Sequence, residues 1–216
     1  MFFDFAKRTI DIAGSTFGLV LFSPLFLLLA LGIKIFSPGP VFFTPERVGR
    51  NGKLFKMYKF RSMRMYRIRG HWEHAHEMLK RDKEMLKEYK LNSFKLKNDP
   101  RITPLGRFLR KSSLDELPQL VNILKGEMSL VGPRAYLPDE LEEQQKVYSR
   151  TKPLVKTLLN CKPGLTGYWQ VSGRSDINFD KRIQMDVAYV KRRSILYDFG
   201  LLLRTIPAIF TGRGAV

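Results

Sequence analysis

The sequence predicts an α/β fold, mostly helical with a small sheet, with a re-entrant membrane helix at its N-terminus and interfacial amphipathic helices further on. Three observations predict it. The run from Ile12 to Ile33 holds no charged residue and is broken at its middle by Ser23-Pro24. Short β-like runs follow a turn cluster, and helical stripes of apolar residues fill much of the remainder. At 216 residues the chain has room for a membrane segment and one domain, and the expected division is a helical hairpin over 1–36 followed by a body over 37–216.

A helix the length of the uncharged run, at about 1.5 Å per residue, reaches across a bilayer core. Pro24 removes a backbone donor and clashes with the turn before it, so a sharp bend is expected there. Lys7 and Arg8 precede the run, and Lys34, Arg47, Arg50, Lys53 and Lys56 follow it. Basic flanks on both sides give no orientation for a straight crossing, whereas a hairpin with both ends in the cytoplasm satisfies both; a kinked single crossing is the alternative. The run is too long for the apolar region of an ordinary signal peptide, and no small-x-small cleavage site follows it.

After the turn cluster Ser37-Pro38-Gly39-Pro40, strands are expected at Val41–Phe43 and Leu54–Phe60. Glu73 to Leu91 reads as one amphipathic helix with Met78, Met85, Leu86 and Tyr89 on a face. His71, His74 and His76 stand at its start without a helical or finger spacing, so no metal site is expected from them. Helices follow at Pro138–Tyr148 and Phe179–Lys191, the second with Phe179, Ile183, Val187 and Val190 as a core stripe. Leu196 to Phe210 is apolar but interrupted by Asp198, Arg204 and Pro207; it is too broken to span and suits the membrane interface. Cys161 stands alone, which leaves no intramolecular disulfide and reads as a small buried hydrophobe in a reducing compartment.

With 38 Lys+Arg against 20 Asp+Glu, the net charge of +18 calls for a polyanionic partner: nucleic acid, an anionic membrane surface or a phosphorylated substrate. Within that basic chain Asp115 and Glu116 lie side by side in an apolar frame, Ser112 to Leu120. One carboxylate can attack a phosphorus atom while the other holds a divalent metal. The competing reading is a capping box, with Ser113 as N-cap and Glu116 three residues on. Pro118 counts against the box, because it would fall inside that helix rather than near its first turn. Around the pair, Lys59 and Arg61 are expected on one side of a strand, Arg110 lies just upstream, and Arg134 closes the turn Gly126–Arg134 with a fork suited to phosphate. The glycine-punctuated, aromatic stretch Lys162–Arg174 is suited to a base or sugar. Taken singly, each of these cations is most often a solvated surface charge; the combination is what carries weight.

From Phe5 onward the chain resembles the bacterial sugar transferases, the monotopic phosphoglycosyl transferases that begin polysaccharide and glycoconjugate assembly on a polyprenyl-phosphate carrier. The resemblance is carried in order by Lys59-Phe60-Arg61-Ser62-Met63, Ser113 to Leu120, Met128 to Arg134, Pro163 to Gly167, and Gln170 to Arg174. It implies that the acids are catalytic rather than capping. Asp115 would attack a UDP-sugar and release UMP, leaving a phosphosugar on the aspartate that undecaprenyl phosphate then removes as hexose 1-phosphate. It further implies Mg2+ held through Glu116, phosphate or structural contacts from Lys59, Arg61, Arg110 and Arg134, a nucleotide contact from Arg174, and a re-entrant helix turned at Ser23 and Pro24. The setting implied is the cytoplasmic face of the bacterial inner membrane, among membrane lipids and downstream glycosyltransferases. The product would enter exopolysaccharide, capsule or O-antigen assembly, with no nucleic acid involved. Pro133-Arg134-Ala135 replaces the family's frequent Pro-Arg-Pro. The long stretch Tyr66–Asn98, Tyr136-Leu137-Pro138 and the Gly212-Arg213-Gly214 ending look more like the undecaprenyl-phosphate glucose or galactose phosphotransferases. Their extra N-terminal membrane helices are absent from this sequence, which is either a short form or a catalytic fragment. The rival from another class is a membrane-anchored, non-catalytic nucleic-acid-binding or scaffold protein, motivated by the charge and by Tyr168 and Trp169.

Overall fold

A computed structural model describes residues 2–68, 70–92, 96, 99–173 and 177–211. Its first two helices, α1 (Phe2–Leu21) and α2 (Ser23–Phe36), meet at the expected break and are bent by 60°. Pro24 sits in the first turn of α2, where its missing N–H is least costly. The carbonyl of Val20, which residue 24 would otherwise bond, is instead served by the Ser23 hydroxyl at 2.8 Å. Among the described residues no single helix is long and apolar enough to cross a membrane; α1 and α2 pass that test only as a bent pair.

One side of this pair is exposed and apolar, with Phe17, Val20, Leu27, Leu28, Leu31 and Ile35 open to the surroundings. The other side belongs to the body. Leu29 and Ile33 are buried with Phe60 and Leu109, and Leu19 packs against Phe55, Leu120 and Ile123. The polar residues of α1 are also engaged. Lys7 reaches Asp198, the carbonyl of Val131 (3.0 Å) and the hydroxyl of Tyr189 (3.4 Å). Arg8 donates to the carbonyls of Ile123 (2.6 Å) and Leu124 (2.8 Å), and Asp11 accepts from Ser129 Oγ (3.0 Å) and the Leu130 N–H (2.9 Å). Lys7 and Arg8, read from the sequence as a basic flank of the apolar run, are therefore bound within the protein. The hairpin and the body share cores rather than standing apart.

The sheet content is four two-stranded pieces among the described residues. Strand β1 (Phe42–Phe43) pairs antiparallel with β4 (Lys59–Phe60), and β2 (Glu46–Val48) with β3 (Leu54–Lys56). The run Leu54–Phe60 is thus two strands with different partners. It divides at Met57 and Tyr58, whose N–H groups are taken by the Pro45 carbonyl (3.0 Å) and Asn122 Oδ1 (2.9 Å). Strands β5 (Met65–Ile68) and β6 (His71–His74) form a hairpin, which claims the start of the expected helix Glu73–Leu91. The rest of that segment is α3 (Ala75–Arg81) and α4 (Lys83–Leu91), divided because Asp82 accepts the Met85 N–H and caps a new helix. Leu79 is its buried apolar anchor, with Met85, Leu86 and Tyr89 half-buried; the side chains of Met78 and His76 lie outside the described residues. His71 and His74 belong to β6, where His74 stacks on Phe43.

Helices α5 (Pro104–Ser112) and α6 (Gln119–Lys125) lead to β7 (Ser129–Val131), which pairs in parallel with β8 (Gly164–Thr166). Between these strands lie α7 (Pro138–Val147) and α8 (Lys152–Leu158); α9 (Tyr168–Ser172), α10 (Phe179–Arg192) and α11 (Ile195–Thr211) complete the chain. The stripe expected on α10 is in the core, with Phe179, Ile183 and Val187 buried against Tyr136, Leu141 and Leu158 and Val190 packed beside them. Helix α11 runs on through Pro207, and its Asp198 is turned inward to Lys7 and Tyr189. Cys161 is buried, and burial raises its thiol pKa, as suits a packing residue.

Candidate active site

The carboxylate pair sits in a turn rather than in a helix. Ser113 closes α5 in the left-handed conformation (φ 58°), its side chain caps nothing, and a single 3-10 turn over Leu114–Glu116 follows. The capping box is therefore not formed. Pro118 stands at the N-cap of α6 instead, so the helix begins after the acids rather than through them. Strand β4 delivers Lys59 to the same point. Its ammonium lies 3.0 Å from Asp115 Oδ2 and 2.9 Å from Glu116 Oε1, bridging two carboxylates more than fifty residues away in sequence.

Asp115 is buried at 5 % exposure, while the Glu116 side chain is about a third exposed. Burial raises the pKa of Asp115; Lys59 works against it, Glu116 adds to it, and the net direction is upward. Burial disfavours the charged form of Lys59, but its two acidic partners outweigh this and hold its pKa above the ordinary value. The trio carries one net negative charge in an enclosed place.

These residues line a cleft of about 450 Å3. Arg110, from the last turn of α5, contributes to the dyad's side. Arg134, just after β7, also lines the cleft. That segment is set by Gly132, where a Cβ would come within 2.5 Å of the Lys162 carbonyl oxygen, so only glycine lets the chain pass residues 162–164. The Arg134 N–H donates to Asp186 Oδ2 (3.1 Å), and the guanidinium lies over the Trp169 ring at 4.9 Å. Ala135, where the family favours proline, packs into the core beside Leu120 and Met128, and Arg134 still reaches the cleft. Behind it, Asp186 also accepts from the Tyr136 hydroxyl (3.0 Å), and Arg182 donates to Glu140 (3.2 Å). Burial pushes the Asp186 carboxyl up to about 7.

Lys59, Arg110, Arg134, Asp115 and Glu116 are thus brought together. Arg61 is not with them: β4 ends at Phe60, and the Arg61 guanidinium donates to Ser37 Oγ (3.0 Å), the Ser37 carbonyl (2.7 Å) and the Pro38 carbonyl (2.6 Å), fastening the end of the helical hairpin. Of the phosphate and structural contacts expected of it, the structural one is what its geometry displays. Arg174 lies outside the described residues. Arg47, Glu140 and Asp186 were not read from the sequence as parts of a site. Arg47 appeared there only as a flanking charge, and the two acids carry no local motif.

Among the described residues no three His, Cys, Asp or Glu side chains gather as a metal-ligand set. The donors present, two carboxylates with Lys59 between them, are the hard oxygens that Mg2+ accepts when substrate phosphates and water complete its shell. They fit an ion that arrives with a diphosphate better than a resident one.

A small α/β body with an apolar helical hairpin, built around a carboxylate pair in an arginine-rimmed cleft, defines the class. The chain belongs to the bacterial sugar transferase family, whose sequence pattern matches residues 2–212. It is 46 % identical over 211 residues to the undecaprenyl-phosphate galactose phosphotransferase of Salmonella typhimurium, covering 98 % of this chain and 42 % of that protein. It is 42 % identical to the exopolysaccharide production protein ExoY of Rhizobium meliloti, over 97 % of this chain and 88 % of that one. It is 35 % identical to the UDP-glucose:undecaprenyl-phosphate glucose-1-phosphate transferase of Escherichia coli, over 97 % and 41 %. The chain therefore spans about two fifths of the first and third of these relatives and most of the second.

Proposed function

We propose that the chain transfers hexose 1-phosphate from a UDP-sugar to undecaprenyl phosphate in two displacements. The observation that carries this reading is the buried Asp115 held by Lys59 at 3.0 Å in a cleft that also presents Arg110 and Arg134. In the first displacement an Asp115 oxygen bonds to the sugar-bearing phosphorus. The bond from that phosphorus to the bridging oxygen breaks, and its electron pair leaves with UMP. In the second, an oxygen of undecaprenyl phosphate bonds to the same phosphorus and the acyl phosphate breaks, which restores the carboxylate. An acyl phosphate is reactive enough for this return step.

Lys59 favours the charged form of Asp115 and orients both acids, and Arg110 and Arg134 bind phosphate oxygens, with Arg174 assigned to the nucleotide end. Glu116 would hold Mg2+, which supplies neutralisation of the diphosphate charge that otherwise repels an anionic nucleophile. The helical hairpin dips into one leaflet from the cytoplasmic side of the inner membrane and returns. Its exposed Phe17, Val20, Leu27 and Leu28, together with Phe199, Leu203 and Ile206 on α11, support that seat among lipid tails. The product is a lipid-linked sugar on which a downstream glycosyltransferase builds exopolysaccharide, capsule or O-antigen.

The test is intact mass after mixing the detergent-purified chain with Mg2+ and UDP-galactose or UDP-glucose, the lipid acceptor omitted. A gain of one phosphohexose, absent in Asp115→Asn, is expected. If no adduct forms and UMP is released only when the lipid is present, including from Asp115→Asn, the two-step reading is wrong.

A further inference from the structure

The cleft has two electrostatic ends. Lys59, Glu116 and Arg110 are among the charges that bear on Asp115, whereas Arg134, Glu140 and Glu116 are among those that bear on Arg47. Glu116 belongs to both sets and so couples a dyad end to an arginine end.

Arg47 reaches the arginine end from β2. Its neighbour Val48 is buried in the core and donates its N–H to the Tyr136 carbonyl (3.0 Å), which lays β2 alongside the segment that carries Arg134. Arg47 lines the cleft, half-buried, opposite Phe55 of β3. Its Nε and Nη1 are enclosed and have no hydrogen-bond partner among the described residues, and the same holds for Arg134 Nε. The carboxylate nearest the Arg134 guanidinium is Glu140, whose Oε2 lies 3.9 Å away and has no hydrogen-bond partner among the described residues, while its other oxygen accepts from Arg182. Both arginines thus line one cleft, and each guanidinium has an enclosed nitrogen that no described group satisfies. Enclosed donors of this kind are costly unless a partner arrives to accept from them. Burial, with Arg134 beside it, lowers the pKa of Arg47 to about 10, the direction expected of a cation short of counter-charge.

We propose that Arg47, beside Arg134, grips the phosphate that is not transferred: the nucleotide's phosphate as it leaves, and then the acceptor's phosphate that attacks from the same position. This rests on the double displacement proposed above. Attacking and leaving oxygens lie roughly in line across a transferred phosphoryl group. The group opposite Asp115 is therefore UMP in the first step and the lipid phosphate in the second, and one pair of forks serves both. No bond to Arg47 forms or breaks; it donates hydrogen bonds to phosphate oxygens that carry negative charge throughout.

The test compares UMP with uridine, which differ by that phosphate, on the detergent-purified full chain without turnover. Arg47→Gln is expected to weaken UMP binding about tenfold to a hundredfold and leave uridine binding unchanged, the span expected from losing charge-assisted hydrogen bonds. Arg47→Lys, which keeps the charge and loses the fork, should fall between. In the same variants, discharge of the phosphosugar adduct by undecaprenyl phosphate should slow in the same order. Unchanged UMP affinity in a Gln variant of normal unfolding midpoint, or equal losses for UMP and uridine, overturns the role of Arg47 while leaving the donor intact. Weaker UMP binding with unchanged discharge overturns the shared position. A wild-type chain that binds neither compound overturns this proposal and the uridine-nucleotide donor together.

Discussion

Two clusters of enclosed charge adjoin the chain between Ser129 and Arg134, and they differ in how completely they are paired. In the first, Lys7 of α1 meets Asp198 of α11, and its ammonium also reaches the Val131 carbonyl and the Tyr189 hydroxyl. Both carboxylate oxygens of Asp198 are engaged, one by Lys7 and the other by Tyr189 at 2.8 Å. In the second, Arg47 and Arg134 keep enclosed nitrogens without partners around Glu140. A closed circuit of donors and acceptors has no remaining valence for a ligand and acts as a clamp between helices. An open one is tolerated where a ligand of opposite charge completes it.

The largest effect that bears on this contrast lies at the dyad. Asp115→Ala should reduce turnover by roughly three orders of magnitude or more while the chain stays folded, because the nucleophile is lost but the clamp is not. Turnover near the wild-type rate would remove the cleft from the chemistry altogether. The clamp is tested next. Lys7→Met leaves Asp198 enclosed without its cation and should cost about 3 kcal/mol in chemical unfolding. Adding Asp198→Leu should recover most of that loss. A single variant as stable as the wild type would mean that the clamp is not structural.

Asp186 offers a comparison by pH. Its folded carboxyl titrates near 7, whereas the unfolded one releases its proton near the ordinary value of 3.8. The folded form therefore holds this proton more firmly between those values, and Asp186 contributes a loss of stability as pH rises from about 4 to about 7. Asp186→Asn cannot ionise, so its unfolding midpoint relative to the wild type should climb across that window and level off above it. Parallel curves would remove Asp186 as a burdened acid. The smallest effect is the most pointed. Arg47→Met, measured without nucleotide, should be neutral or stabilising within about 1 kcal/mol, opposite in sign to Lys7→Met, because it removes an enclosed charge that lacks a partner.

Much of the fold is legible residue by residue. Ser23-Pro24 marks the bend, and the four-residue spacing Phe179, Ile183, Val187 marks the buried face of α10. Asp115 and Glu116 stand out as adjacent acids in a basic chain. Other readings failed where a local pattern had two uses. Ser113 and Glu116 have the spacing of a capping box, but Ser113 adopts the left-handed turn that ends α5. Leu54–Phe60 has the composition of one strand, yet Met57 and Tyr58 are drawn to Pro45 and Asn122. Lys59 and Arg61 have strand spacing, and one enters the cleft while the other fastens Ser37 and Pro38.

The sequence by itself determined the features that depend on one residue or on its near neighbours. A proline lacks its N–H in any fold, and residues four apart share a helix face wherever the helix lies. Only the tertiary structure decided which charges are answered. Lys7 and Arg47 look alike in the sequence, as basic residues flanking the same apolar run, yet one is enclosed by three acceptors and the other is left with donors unspent. Hydrogen bonds and ion pairs act over a few ångströms of space, and the neighbours that set them apart, Asp198 beside Lys7 and the like-charged Arg134 beside Arg47, come from distant parts of the chain.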